Sequence, residues 1–165
     1  MPVTFRAYRP EDREALLTIF DANCPEFFAP NEREDFEGFL GALEPNARAA
    51  MDDAYGYVVV EDAGMVVGAH GVREDAEHQG CRLTWILFAP DAQGRGLGRH
   101  VMDRVRKVAR RKGATSVGIA ASGKSAPFFA KFGAVVEQVT HDGWGPGMDR
   151  IDMRLDVAPT PAETA

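Results

Sequence analysis

Three closely spaced glycines, Gly94, Gly96 and Gly98, lie between a predicted strand and a predicted helix. A glycine-rich turn at a helix N-terminus presents unpaired backbone N–H groups and the positive end of the helix dipole, and both attract phosphate. The dinucleotide-binding pattern needs another glycine at the position that Arg99 occupies, so this turn does not match it. The spacing therefore predicts a site for a phosphate-bearing ligand, with a plain strand-to-helix turn as the alternative.

A second segment, Gly118 to Ser125, matches the P-loop pattern GxxxxGKS letter for letter. A P-loop lies between a strand and a helix, and further strand–helix units must follow it to supply an acid for Mg²⁺. Here Gly118 falls inside a predicted strand, and only 40 residues follow Ser125. A P-loop nucleotide-binding enzyme is therefore kept only as the least favoured alternative.

The composition is that of one soluble domain. The chain has 165 residues, of which 45% are hydrophobic and 27% charged. A chain of this length can bury a sizeable hydrophobic core without disulfides or metal ions to stabilise it. No apolar run is long enough to cross a membrane and the N-terminus lacks a signal-peptide pattern, so we expect a cytoplasmic protein with no membrane partner. Two cysteines, Cys24 and Cys81, are too few for a disulfide framework or a zinc site, so no metal is expected.

The formal charge of −6 argues against a nucleic-acid partner, but the charge is divided unevenly along the chain. Residues 1–93 carry a formal charge of −11, and residues 94–165 carry +5. The second half would therefore favour an anionic ligand, and the first half a cationic one.

The apolar patterning predicts the elements that must position these segments. Strands are expected at 3–8, 55–61, 65–72, 81–88, 115–120, 135–140 and 151–157, and helices from Arg9, from Glu32, at 98–112 and at 125–132. A loop is expected at 141–149, and a disordered tail at 158–165. This order predicts a single α/β (α+β) domain over residues 1–157, built around a mixed sheet.

Residues 83–98, which read LTWILFAPDAQGRGLG, resemble the central motif of the GCN5-related N-acetyltransferase (GNAT) family. That motif is an apolar strand, then a proline, then Q/R-x-x-G-x-G/A at the start of a helix. A second block, Phe128 to Ala134, is similar to the F-Y-E-K-x-G-F segment of the same family. The resemblance implies the GNAT fold: a mixed, mostly antiparallel central sheet with helices on both faces, in which the parallel strands 81–88 and 115–120 splay apart and bind acyl-CoA.

The resemblance also implies an acetyl-CoA-dependent N-acetyltransferase that transfers an acetyl group directly to an amine of an unidentified acceptor. The diphosphate of acetyl-CoA would rest on the backbone amides of residues 94–99, the pantetheine arm would pair with residues 86–88, and the N–H of Leu87 or Phe88 would polarise the thioester carbonyl. The cofactor-binding residues so implied are Ile86, Leu87, Phe88, Gln93, Gly94, Arg95, Gly96, Leu97, Gly98, Arg99, Ser122, Ser125, Phe128 and Phe129.

Two positions depart from the pattern of the family. Phe129 stands where the family commonly has a tyrosine that protonates the departing CoA thiolate, and Ser122 stands where an asparagine is common. A phenyl ring has no proton to give. Either the thiolate leaves with the help of water, or another residue serves, or the chain is a non-catalytic acyl-CoA-binding domain, which is the alternative to the enzyme.

The sequence defines the acceptor end less well. The attacking amine must lose a proton, and the candidate bases are His70, Glu74 and Asp149. The segment 24–30 and the loop 141–149 are expected to shape the acceptor pocket, with candidate binding residues Phe27, Phe28, Trp85 and Trp144. The expected acceptor is a small-molecule or peptide amine, which the acidic half of the chain would suit if it is cationic. A homodimer is left open.

Overall fold

The computed structural model describes residues 3–43, 56–75 and 80–157. Within these ranges the strands are β1 (Val3–Ala7), β2 (Tyr57–Asp62), β3 (Met65–Asp75), β4 (Gly80–Phe88), β5 (Ser116–Ser122), β6 (Val135–Gly145) and β7 (Met148–Asp156). The helices are α1 (Arg13–Ala22), α2 (Glu32–Leu43), α3 (Leu97–Arg111) and α4 (Ala126–Ala130). Tyr55, where a strand is predicted to begin, and the predicted disordered tail 158–165 lie outside the described residues.

The described strands form one sheet in the order β1-β2-β3-β4-β5-β7-β6. Every pair of neighbours is antiparallel except β4 and β5, which run parallel. A parallel pair needs a crossover connection, and α3 lies in the connection between β4 and β5. The predicted mixed, mostly antiparallel sheet is confirmed.

Helices cover both faces of this sheet. One core cluster includes a stripe of α3 at helical spacing, formed by Val101, Met102, Val105 and Val108. The other cluster holds α1 and α2 against the sheet through Leu16, Phe20, Phe36 and Leu40. Val60 of β2 belongs to the first cluster and Val59 to the second. Because successive strand residues point to opposite faces, the two clusters lie on opposite sides of the sheet.

The predicted loop at 141–149 is wrong, because β6 and β7 extend through it and end in a tight turn where Gly145 is paired with Met148. The register shifts just before this pair, so β6 carries extra residues that bulge from the ladder. The Asp142 N–H donates to Asp149 Oδ1 at 3.0 Å across the bulge. Aspartates and glycines, which are typical of loops, here stabilise an irregular hairpin.

The strand β6 forms one edge of the sheet and is exposed along most of its length. Its three valines, Val135, Val136 and Val139, are 47%, 55% and 57% exposed. The homodimer stays a prediction.

Across the described residues, no helix combines the length and the apolar character needed to span a bilayer.

Candidate functional site

The strands β4 and β5 pair only at their beginnings. The parallel register joins Gly80–Arg82 to Ser116–Gly118, and past these residues the two strands separate. The gap opens into a cleft of about 640 Å³, a size typical of small-molecule sites. Its wall combines the separated strands with the segment between α1 and α2, the turn before α3, α4 and the β6–β7 hairpin. This separation matches the splay that the resemblance implied.

An extra residue interrupts the β3–β4 ladder beside the splay. From Ala69 to Gly71, β3 advances two residues while β4 advances three. The resulting bulge contains Trp85, whose φ of +38° lies in the left-handed region. The buried Tyr57 hydroxyl donates to the Trp85 carbonyl oxygen at 2.6 Å and holds the bulge in place. Bulges bend the strand that carries them and redirect its side chains, which turns Trp85 toward the cleft wall.

The peptide groups at the end of β4 decide which backbone N–H faces the cleft. The Ala89 N–H donates to a β3 carbonyl at 2.8 Å, so the Phe88 carbonyl in the same peptide group points away from β3. That carbonyl accepts hydrogen bonds from Asn23 Nδ2 (2.8 Å) and Gln93 Nε2 (3.3 Å). The N–H and C=O of one strand residue point to the same side, so the Phe88 N–H faces this side as well. Of the two predicted donors, Leu87 and Phe88, the geometry favours Phe88.

Glycine is required in the turn before α3 for two different structural reasons. Gly94 and Gly96 have φ values of +80° and +79°, and nothing lies within 4 Å of the position of a Cβ at either residue. The turn therefore needs left-handed backbone and leaves space above it, and the first N–H groups of α3 have no intrahelical partners. At Gly98, by contrast, a Cβ would lie 2.4 Å from Phe128. Glycine here lets α3 approach α4 closely.

Most of the predicted cofactor residues line the cleft. The three that do not are Arg95, Gly96 and Arg99, which are exposed beside it. Arg95 donates to Asp62 Oδ2 at 3.2 Å. Their part in cofactor binding stays a prediction.

The end of β5 and the start of α4 form the facing wall. The Ser122 N–H donates to Ser125 Oγ at 2.9 Å, which closes the turn between the two elements. Gly118 lies inside β5, with β4 paired on one side and β7 on the other. Its backbone is committed to the sheet, so the segment that matches the P-loop pattern does not form a phosphate-binding loop. Phe129 is 3% exposed and belongs to the core, so this position supplies no proton.

The four predicted acceptor residues, Phe27, Phe28, Trp85 and Trp144, all lie in the wall of the cleft. The ring centroids of Phe28 and Trp85 are 6.2 Å apart. Phe39, which the sequence analysis did not single out, contributes another ring at 6.2 Å from Trp85. The described wall therefore offers an aromatic surface on this side.

The tip of the β6–β7 hairpin is tied to two other parts of the cleft. Trp144 Nε1 donates to the Ala121 carbonyl oxygen on β5 at 2.8 Å. The Trp144 carbonyl oxygen accepts a hydrogen bond from Asn31 Nδ2 at 2.9 Å, just before α2. The Arg150 guanidinium lies 5.1 Å from the centroid of the Trp144 ring, a distance at which a cation is attracted to an aromatic face.

None of the three predicted bases lies in the cleft wall. His70 is fully buried in β3 with its Nε2 2.9 Å from Arg104 Nη1, and burial, followed by the Arg104 charge, lowers its pKa to about 3. Glu74 is exposed on β3, opposite Cys81. Asp149 accepts the hydrogen bond that holds the hairpin bulge. The described wall therefore contains none of the three, although His70 follows Ala69, which pairs with Leu87. Their role as bases stays a prediction.

Glu32, the first residue of α2, is an acid in the cleft wall that the sequence analysis missed. It is only 6% exposed, and its Oε2 accepts a hydrogen bond from the Ala29 N–H at 2.7 Å. Burial raises the pKa of Glu32 to about 7, opposed by this hydrogen bond and helped by the charge of Asp35. A carboxyl group that titrates near neutrality suits a general base. One local signal could have found it, because Glu32 lies at helical spacing with Phe36 and Leu40 on the buried face of α2, whereas Glu34 and Asp35 are exposed.

Near Glu32 and the aromatic surface, the described wall of the cleft contains more arginines than acidic residues. Arg73 and Arg82 are cross-strand partners on β3 and β4, and Arg150 lies on β7. Glu32 is the one acid in the part of the wall that the structure describes. Apart from Glu32, the acids that give residues 1–93 their negative charge do not line the described wall, so the expectation that this acidic half suits a cationic acceptor stays a prediction.

The profile of the acetyltransferase (GNAT) family matches residues 14–134, which is most of the chain. The chain belongs to this family. A protein from Desulfovibrio desulfuricans assigned to the GNAT family is 26% identical, with a TM-score of 0.73 over 95% of this chain and 100% of that chain. The yncA protein of Salmonella typhimurium, assigned as an acetyltransferase and solved with its cofactor acetyl-CoA, is 18% identical, with a TM-score of 0.69 over 97% and 96% of the two chains.

A third similar structure is the ribosomal-protein-S18-alanine N-acetyltransferase from Escherichia coli, which is 15% identical, with a TM-score of 0.71 over 96% of each chain. At such identity the likeness shows the shared fold alone. No curated protein sequence matches the chain. Membership of the GNAT family confirms the resemblance that residues 83–98 carry, and it leaves the acceptor unidentified.

Proposed function

We propose that this GNAT protein is an acetyl-CoA-dependent N-acetyltransferase that transfers the acetyl group directly from the thioester to an amine. The observation that carries the proposal is one cleft that joins the glycine-rich turn, the end of β4 and the buried Glu32. The acetyl-CoA held by the Salmonella protein, which shares the fold, supports this choice of cosubstrate.

The cosubstrate would lie along the unpaired side of β4. Its diphosphate is attracted by the N–H groups at the start of α3 and by Lys124 and Lys131, which line the facing wall. The thioester carbonyl would accept a hydrogen bond from the Phe88 N–H. That N–H is oriented before the reaction begins, because Asn23 and Gln93 hold the Phe88 carbonyl.

The Glu32 carboxylate takes one proton from the ammonium group of the acceptor, directly or through a water molecule. The nitrogen lone pair then forms a C–N bond with the thioester carbon, and the Phe88 N–H stabilises the negative charge on the carbonyl oxygen. When the C–S bond breaks, the nitrogen loses its second proton, which ends on the CoA sulfur. A thiol has a pKa of about 8.5, so the thiolate is a tolerable leaving group without a tyrosine at position 129.

Calorimetric titration with acetyl-CoA, with ATP–Mg²⁺ run in parallel, is the first test. We expect acetyl-CoA to bind and ATP–Mg²⁺ not to bind. Thiol release from acetyl-CoA with a panel of amines then tests transfer. An absence of acetyl-CoA binding overturns the proposal. Acetyl-CoA binding without thiol release from any amine leaves a non-catalytic acyl-CoA-binding domain, the alternative that Phe129 favours.

A further inference from the structure

The acceptor end of the cleft carries a pair of arginines that the transfer chemistry does not use. Arg73 and Arg82 are directly paired across β3 and β4, and both line the cleft. The adjacent strand residues, Val72 and Leu83, are 2% and 7% exposed in the core behind the sheet. Side chains alternate between the faces of a strand, so both arginines project from the opposite face.

These two guanidinium groups have room for a ligand. Neither pairs with a carboxylate in the ranges that the structure describes, whereas the nearby Arg150 donates to Asp152 Oδ1 at 3.0 Å. Arg82 is half-buried, and its parallel neighbour on β5 is Gly118, which has no side chain to fill the adjacent space. A planar guanidinium in such a position binds a carboxylate through two parallel N–H donors.

Aromatic rings lie between these arginines and the thioester position. On β4, Trp85 follows Arg82 and precedes the segment 86–88 predicted to bind pantetheine. Phe28 and Phe39 each lie 6.2 Å from the Trp85 ring. Such surfaces favour an apolar or aromatic body over a strongly hydrated one.

The spacing along β4 sets the length of the acceptor. At about 3.3 Å per residue, the Cα atoms of Arg82 and Phe88, whose N–H is proposed to bind the thioester carbonyl, are at most roughly 20 Å apart. The bulge at Trp85 shortens this distance. An arginine side chain covers only part of that distance. The amine and the anionic group of the acceptor must therefore be several bonds apart.

We infer that the acceptor is a small zwitterionic amine, in which an apolar body joins the reactive amine to a carboxylate that Arg82 and Arg73 bind. The inference rests on the proposed acetyl transfer and deepens it. The Glu32 carboxylate faces the amine, the aromatic rings contact the body, and the arginine pair neutralises the far end.

Matched amines test the inference directly. 4-(Aminomethyl)benzoate and benzylamine share the reactive amine and the ring and differ in the distant carboxylate. We expect kcat/KM for thiol release to be roughly 10–100-fold higher with the benzoate, the range that a hydrogen-bonded charged group contributes. Phenylalanine, whose carboxylate is close to the amine, and spermidine, which is a polycation, are expected to react more slowly than the benzoate.

Variants then assign the effect to the arginines. Arg82→Gln is expected to remove most of the difference between the two aryl amines by raising KM for the benzoate much more than KM for benzylamine. Arg73→Gln, at an exposed position, should do the same to a smaller degree and serves if Arg82→Gln fails to fold. Arg154→Gln is the control, because Arg154 pairs with Asp156 and Glu137 outside the cleft wall.

Each outcome decides the matter. The inference is overturned if benzylamine or spermidine reacts as well as the benzoate, or if the Arg82 and Arg73 variants lower both aryl amines equally. It is also overturned if the wild-type protein binds acetyl-CoA and releases thiol with other amines, but does not acetylate the benzoate when loaded with acetyl-CoA. In those cases acetyl-CoA binding and transfer to some amine still stand, whereas the proposed function fails if acetyl-CoA does not bind or if no amine of the panel releases thiol.

Discussion

The cofactor end of the cleft is built from the backbone of one short segment, residues 93–98, at the start of a helix. The acceptor end is built from side chains far apart in the sequence, with Glu32 on α2, Arg73 on β3 and Arg82 on β4. A site made of contiguous backbone can be recognised from local residue types in the sequence, because glycine is needed where φ is positive. A site made of distant side chains cannot be recognised in this way.

The largest effect is expected at the cofactor end. Gly96→Glu should reduce acetyl-CoA affinity more than 100-fold, to below detection by calorimetry. Gly96 has a φ of +79° with open space above it, so a glutamate is strained there and places a negative charge where a diphosphate is expected.

The matched control for that change is Lys124→Ala. Lys124 is exposed, and exposed ion pairs contribute little, so we expect an affinity loss of about fivefold or less. The opposite result would be unchanged acetyl-CoA affinity in Gly96→Glu and no detectable acetyl-CoA binding in Lys124→Ala. It would assign the phosphate site to the P-loop-like segment instead of the glycine turn before α3.

At the acceptor end, Glu32→Gln should lower kcat by about 10²–10⁴-fold with little change in acetyl-CoA affinity. Glu32 acts as a base only when ionised, and its pKa is raised to about 7 by burial. The wild-type kcat should therefore rise with pH through about 7, and this inflection should be absent in the variant. A variant that keeps the inflection would show that another group takes the amine proton.

The same substitution should increase stability above neutral pH. Glu32 ionises near 4.5 when unfolded but at about 7 in the folded protein, so the folded state is penalised as pH rises through this window and the full penalty is present above it. Urea unfolding at pH 8 should show Glu32→Gln more stable by about 1–3 kcal/mol, with the gap closing at pH 4.5. A less stable variant at pH 8 would indicate that the hydrogen bond from the Ala29 N–H to the carboxylate outweighs the cost of burying its charge.

The smallest effect is expected from Asp149→Ala. Asp149 accepts the Asp142 N–H across the hairpin bulge, so its loss should reduce stability by about 0.5–1.5 kcal/mol. Thiol release per active protein should stay at the wild-type rate. A large loss of kcat would restore Asp149 as a candidate base.

Sequence reasoning predicted the sheet, both pairs of covering helices and the glycine turn, because these depend on local periodicity and helix-start signals. It failed at residues 141–149, where Asp142 and Asp149 support a bulged hairpin that no local pattern reveals. It named His70, Glu74 and Asp149 as candidate bases, none of which lies in the described cleft wall. The burial of His70 against Arg104, for example, depends on how β3 packs against α3, which local patterns do not show. The role of Glu32 depends on the α1–α2 segment meeting β4, a contact between residues about 55 positions apart.

Both tryptophans of the chain, Trp85 and Trp144, lie in the wall of the cleft. All of the tryptophan fluorescence of the protein therefore originates beside the proposed ligands, one source within the aromatic surface of β4 and the other at the hairpin tip tied to Ala121. Trp85→Phe and Trp144→Phe variants would each carry a single emitter. Titrating each variant with the proposed ligands would distinguish acceptor binding, reported by Trp85, from movement of the hairpin, reported by Trp144, without any added label.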